Sequence, residues 1–157
     1  MMKSITDFLK RLNSKIILNE DLIMESSNRF FLLNKNLKQL IAKDFFYAGI
    51  YLGKIKGGKF LPSFNFLKMI AENEANKIIV DKKSEWLFIC GRDIFKEGIV
   101  RVSGSKRKGD YTLVLNQYGE CLGLGKMVKD LNRVKRGVAV KNILDIGDFL
   151  RRETMMS

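Results

Sequence analysis

Eight cations crowd one part of this chain: Arg101, Lys106, Arg107, Lys108, Arg133, Lys135, Arg136 and Lys141. Residues 101–141 hold ten basic and three acidic side chains. Such a cluster binds phosphate by charge and by releasing condensed counterions. Arginine adds a planar fork for phosphate oxygens and can stack on bases. Three of the cations lie in one tip, Ser105-Lys106-Arg107-Lys108-Gly109-Asp110, which a glycine closes. Tyr111 and Tyr118 offer rings for stacking. Phosphate contacts position a protein without reading sequence, so stacking, base-edge or 2′-hydroxyl contacts must do the reading.

The totals remove other chemistries. The chain has 157 residues and a formal net charge of +12. It carries 20 Lys but only 8 Glu, so the excess is not the paired charge of a heat-stable surface. There is no histidine, which excludes Ser-His and Cys-His pairs and imidazole zinc sites. Cys90 and Cys121 are far apart, each in an apolar context, and both read as buried free thiols. No acidic cluster offers a metal site, and no metal or cofactor is expected. Asp21 with Asp44 is a lone acid pair without a motif, and Asp93 and Asp110 read as turn caps. Leu52-Gly53-Lys54 and Gly57-Gly58-Lys59 lack the strand-to-helix setting of a phosphate loop. No apolar run approaches the roughly 20 residues of a membrane span. The first twelve residues do not read as a signal peptide, so a cytoplasmic protein is expected.

Period and punctuation place these residues on elements. Val100 and Val102 alternate with Arg101 and Ser103; Leu113 and Leu115 alternate with Thr112 and Val114. A period of two means strands with one face on a core. Gln117-Tyr118-Gly119-Glu120 reads as a hairpin turn. A bent, mainly antiparallel sheet with a positive loop at one end is expected. Upstream, Ile5, Phe8, Leu9 and Leu12 mark an amphipathic helix. Lys15–Leu18 and Glu20–Met24 read as short strands, and Arg29–Leu33 as another. Asn34 or Asn36 caps a helix bearing Leu37, Leu40 and Ile41. Phe45–Ile55 reads as a central strand. Pro62 and Ser63 open a helix whose inner face carries Phe64, Leu67, Ile70 and Ala71. Lys77–Val80 is a strand, and residues 84–91 a short buried helix capped by Ser84, with Trp86 and Phe88 in the core. Gly137–Val140 is a last strand, and residues 143–152 a closing helix.

Ile78-Ile79-Val80-Asp81, Cys90-Gly91-Arg92-Asp93-Ile94-Phe95 and Gly98–Val102 resemble the first half of a PUA domain. Lys108-Gly109-Asp110, Gly123-Leu124-Gly125 and Lys135–Val140 resemble its second half. Tyr51-Leu52-Gly53, Gly58-Lys59-Phe60, the helix from Ser63 and Ile146–Arg151 are similar to the Nip-seven family of large-ribosomal-subunit biogenesis factors. The resemblance implies an α+β chain. Residues 1–76 would form an N-terminal α/β module of a small sheet plus helices. Residues 77–157 would form a PUA-type mixed β pseudo-barrel with short helices. It also implies a non-catalytic factor that binds single-stranded pre-rRNA through the PUA domain, with uridine-rich RNA as a first candidate. Other assembly proteins would contact the N-terminal module. Gly91 and Arg92 join the site through this resemblance, as the loop that approaches the RNA backbone. The alternative is an accessory or specificity subunit of an RNA-modification or translation complex. A third reading is a protein adaptor using Phe45–Tyr51 or the surface around Phe30 and Phe31.

Overall fold

The computed structural model describes residues 2–41 and 45–156, and of 152–156 the backbone only. Asp44, half of the acid pair considered above, lies outside the described residues.

The amphipathic spacing at the N-terminus produces helix α1 (Met2–Arg11), which buries Ile5 and Phe8. Strands β1 (Ile23–Ser26) and β2 (Arg29–Leu32) then form a hairpin. Asn34 caps the short helix α2 (Lys35–Leu40), its side chain accepting the Leu37 N–H at 2.7 Å. Strands β3 (Ile50–Lys56) and β4 (Lys59–Pro62) meet across the two-residue turn Gly57-Gly58. Ser63 caps α3 (Phe64–Ala71), which buries Phe66, Leu67 and Ile70. The four strands form an antiparallel meander in the order β1-β2-β3-β4.

Several expectations need correction here. Lys15–Leu18 is irregular, and Glu20–Leu22 is a 3₁₀ turn, so pairing begins only at Ile23. Phe45–Ile55 is strand only from Ile50. Phe45 and Tyr47 instead set their rings 5.2 Å from Phe31, and that ring packing takes the place of a ladder. Phe30 and Phe31 are core residues rather than a docking surface. Pro62 closes β4 instead of opening α3; β4 is a sheet edge, where a missing N–H is tolerated.

The second half contributes β5 (Lys77–Val80), α4 (Lys82–Ile89), β6 (Ile94–Phe95), β7 (Ile99–Ser103), β8 (Tyr111–Leu115), β9 (Cys121–Met127), β10 (Val138–Asp145) and α5 (Ile146–Met156). The strands curl into a six-stranded half-barrel ordered β6-β10-β9-β8-β5-β7. All pairs are antiparallel except β5 with β8, so the sheet is mixed. Asp81, not Ser84, caps α4: its carboxylate accepts the Ser84 N–H at 2.8 Å. Residues 143–145 stay in β10, where Leu144 and Asp145 pair with β9 past a bulge at Ile143, and α5 starts after them, where Asp145 accepts the Asp148 N–H at 2.7 Å.

The largest core cluster draws on both halves of the chain. Ile5, Phe8 and Leu12 of the N-terminal segment meet Phe66, Leu67 and Ile70 of α3, and both groups pack on Leu113, Leu115 and Leu124 of the half-barrel. A second cluster, with Ile78, Phe88, Val114 and Val140, fills the barrel interior. The outer face of β8 and β9 is therefore covered by α1 and α3, and this fixes where the N-terminal helix ends relative to the cationic loops.

Candidate nucleic-acid interface

The loop between β7 and β8 is held from two sides. Asn76 is fully buried and its Oδ1 accepts the Ser105 N–H at 2.9 Å. On the other side Asp130 accepts the Lys108 N–H at 2.8 Å. Leu131 N–H donates to the Lys106 carbonyl at 2.9 Å, and Gly109 N–H to that of Met127 at 2.7 Å. These bonds lay Lys106, Arg107 and Lys108 against the segment that follows β9 and carries Arg133. Arg107 lies 3.5 Å from Asp110, and Arg133 lies 3.9 Å from Asp130. Both arginine side chains are more than four-fifths exposed, so these pairs leave them available. Lys135 and Arg136 leave from the same end of the sheet. The next residue, Gly137, donates to the Glu97 carboxylate and accepts from Lys96 N–H at 2.8 Å.

Strand register extends the positive surface along the barrel. Tyr111 of β8 pairs with Lys126 of β9, and Lys126 pairs with Lys141 of β10. Directly opposed residues share a face of the sheet, so the three side chains form a row. Arg11, the last residue of α1, lies over its end with its guanidinium carbon 4.0 Å from the centre of the Tyr111 ring. The same guanidinium donates to the Tyr111 hydroxyl at 3.1 Å and to the Gly109 carbonyl at 3.3 Å. Arg11 and Lys126 were not foreseen. Lys126 could have been found by extending the alternation of β9 one residue further. Nothing in the sequence signals that Arg11 reaches a tyrosine a hundred positions away.

Gly91 and Arg92 lie elsewhere along β10. They end α4 in a closed turn: Gly91 N–H donates to Phe88 O and Arg92 N–H to Leu87 O, both at 2.9 Å. Gly91 has φ +88°, the left-handed conformation that this helix ending favours in glycine. Asn142, next to Lys141, holds the turn through the Arg92 and Phe88 carbonyls. Arg101 stands apart. It sits on the edge strand β7, level with Leu115, about 13 Å along β8 from Tyr111. The structure thus gathers Lys106, Arg107, Lys108, Arg133, Lys135 and Arg136 at one end of the sheet. It sets Lys141 beside them on the barrel face, places Gly91 and Arg92 further along β10, and leaves Arg101 at the far end.

Two further expectations change, the core Trp86 and the buried Cys90. Trp86 is 68% exposed, although Phe88 is core. Tyr118 is 88% exposed in the β8–β9 turn, at the end opposite the cationic loop. Cys90 is exposed, whereas burial pushes the Cys121 thiol up to about 11. Among the described residues no group of His, Cys, Asp or Glu is arranged to hold a metal ion. No described helix is long and apolar enough to cross a membrane.

Residues 76–154 match the family model described as the UPF0113 PUA domain. The chain belongs to the UPF0113 PUA-domain family. A UPF0113 protein of Archaeoglobus fulgidus is 29% identical over 111 residues, covering 68% of this chain and 63% of that protein. The glutamate 5-kinase of Aquifex aeolicus is 35% identical over 80 residues, 47% of this chain and 22% of the kinase. The chain thus spans less than two thirds of the length of these curated relatives. A hypothetical protein of Pyrococcus horikoshii shares the fold end to end: TM-score 0.65, 18% identity, 98% of this chain and 93% of the other. Membership of the UPF0113 PUA family agrees with the curled half-barrel, and the match begins at Asn76, the buried residue that anchors the cationic loop.

Proposed function

We propose that this protein is a non-catalytic RNA-binding factor of large-ribosomal-subunit biogenesis. It would bind single-stranded pre-rRNA through its PUA half-barrel and other assembly proteins through the N-terminal half. The observation that carries the reading is the gathering of six cations at one end of the half-barrel, three of them in a loop anchored by Asn76 and Asp130. A fixed loop presents charge with little ordering cost on binding, and the nearby ion pairs are too exposed to neutralise it. The similarity to the Nip-seven family supplies the ribosomal context. The first test is fluorescence anisotropy with a labelled uridine-rich oligomer across a salt series. Contact with five phosphates gives a log–log slope of about −3.5. Affinity that is absent at low salt, or indifferent to salt, rules the reading out. Sedimentation of the protein with precursors of the large subunit, lost after nuclease treatment, tests the ribosomal part.

The second reading is an accessory subunit of an RNA-modification or translation complex. The PUA family membership favours it as well, since it leaves the type of RNA complex open. Co-purification with an RNA-modifying enzyme, and a mass shift in RNA only when both are present, would select it.

A further inference from the structure

We propose that Arg11 and Tyr111, with Lys126 and Lys141, form a subsite for one nucleotide of a single-stranded RNA. The base stacks on the outer face of the Arg11 guanidinium, and the adjoining phosphates lie on the two lysines. This rests on the RNA-binding reading and deepens it, because it brings the N-terminal helix into the interface.

Arg11 is a surface cation held in place. Tyr111 covers one face of its guanidinium, and the Tyr111 hydroxyl and Gly109 carbonyl hold two of its nitrogens. Asn76, which accepts from the Asn13 side chain and donates to the Tyr111 carbonyl, ties the end of α1 to β8 and so fixes the pair. All these partners are neutral, so the positive charge is retained. The residue is exposed, so the face turned away from Tyr111 meets solvent. A planar cation backed by an aromatic ring is a stacking platform, and little rotamer freedom is left to lose when a base lands on it. Stacking of this kind requires a base free of a duplex, which selects a single strand.

The lysine row supplies the backbone contacts. Like charges placed directly across antiparallel strands repel, as Lys126 and Lys141 do. Among the described residues no carboxylate lies within 4.0 Å of Arg11, Lys126 or Lys141. A polyanion relieves that repulsion. The row from Tyr111 to Lys141 crosses two strand spacings, about 10 Å. It adjoins the cationic loop at Gly109, so a strand bound by Lys106–Lys108 continues onto it.

The test uses the full chain, oligouridine and an oligomer of the same length carrying abasic sites. Arg11→Lys keeps the charge and removes the plane. We expect it to weaken oligouridine binding about tenfold, leave the salt slope unchanged and leave abasic binding unchanged. Lys126→Gln and Lys141→Gln should each flatten the slope by about 0.7. Tyr111→Phe keeps the ring, loses the hydroxyl that holds Arg11, and should weaken oligouridine binding severalfold without flattening the slope; it keeps the question decidable should Arg11→Lys disturb folding. An Arg11→Lys chain that binds oligouridine like the wild type, or loses equally on the abasic oligomer, overturns the subsite. So do lysine variants with unaltered slopes. If the wild type binds and only the loop lysines matter, the subsite fails while the RNA-binding reading stands. If the wild type binds no RNA, both fall.

Discussion

The side chain of Asn76 accepts the backbone N–H of Ser105 at 2.9 Å, and through this bond a fully buried amide decides where the cationic loop begins. The same side chain accepts from Asn13 at 3.1 Å and donates to the Tyr111 carbonyl at 3.0 Å. One residue thus joins the end of α1, the loop and the start of β8.

Asn76→Ala should therefore do two things at once. It leaves the Ser105 N–H and the Tyr111 carbonyl without their partner, at about 1–3 kcal/mol each. Urea unfolding should show a loss of about 2–6 kcal/mol. RNA affinity should also fall under conditions where the variant is still fully folded, because the loop is released. A stability loss with unchanged affinity would mean that the loop holds its shape without this anchor.

The cationic loop and the edge strand are expected to behave differently. Replacing Lys106, Arg107 and Lys108 together by Gln should flatten the salt dependence of RNA binding by about 2, with the melting temperature little changed. Arg101→Gln should leave both untouched, since Arg101 lies at the far end of the sheet. Equal effects from the two replacements would show that the bound strand runs the length of the barrel.

Gly123 sits where β9 runs close against β10, paired with Asp145. A Cβ there would lie 1.9 Å from the Leu144 carbonyl oxygen, and φ is +154°. Gly123→Ala should cost about 3 kcal/mol or more, or prevent folding, because backbone must move. Gly91→Ala also needs a positive φ, but a Cβ there would meet only the Arg151 side chain, at an ordinary contact distance of 3.7 Å, so only about 1–2 kcal/mol should be lost. Thermal denaturation of both variants gives the comparison.

The two thiols should be kinetically distinct. Cys90 is exposed, and Cys121 is buried with its acidity pushed up to about 11. A thiol reagent at neutral pH should modify one cysteine per folded chain and the second only in denaturant. The raised value in the folded state also has a stability consequence. The unfolded thiol ionises near 9.0, the folded one near 11, so its contribution is intact below 9.0 and lost as pH rises towards 11. Over that window wild type should lose about 2–3 kcal/mol more than Cys121→Ala.

The shared core predicts one unfolding transition. Phe66 of α3 is fully buried in a cluster with Phe8 and Leu113. Phe66→Ala should cost about 3–5 kcal/mol and lower the midpoint reported by both halves of the chain together. Probes placed in each half would separate if residues 1–76 and 77–157 unfolded independently.

Local rules were enough for much of this protein. The spacing of Ile5, Phe8 and Leu12 set α1, and the cap candidates Asn34 or Asn36 and the Pro62-Ser63 pair marked the starts of α2 and α3 to within two residues, because those signals act within one helical turn. The count of cations between residues 101 and 141 pointed to phosphate binding, and the lack of histidine removed Ser-His and Cys-His pairs and imidazole zinc sites. The order of the glycines and short apolar runs carried the PUA likeness. Tertiary structure alone decided the rest. Phe45–Gly49 has strand composition, yet packing of Phe45 and Tyr47 on Phe31 outweighs strand propensity. Insertion of β5 between β7 and β8 separates Arg101 from the cations that follow it in sequence. Arg11 reaches Tyr111 only because α1 packs on the outer face of the half-barrel. Sequence spacing reports contacts a few residues apart, whereas the site joins side chains up to a hundred residues apart, and only the burial of a common core brings those together.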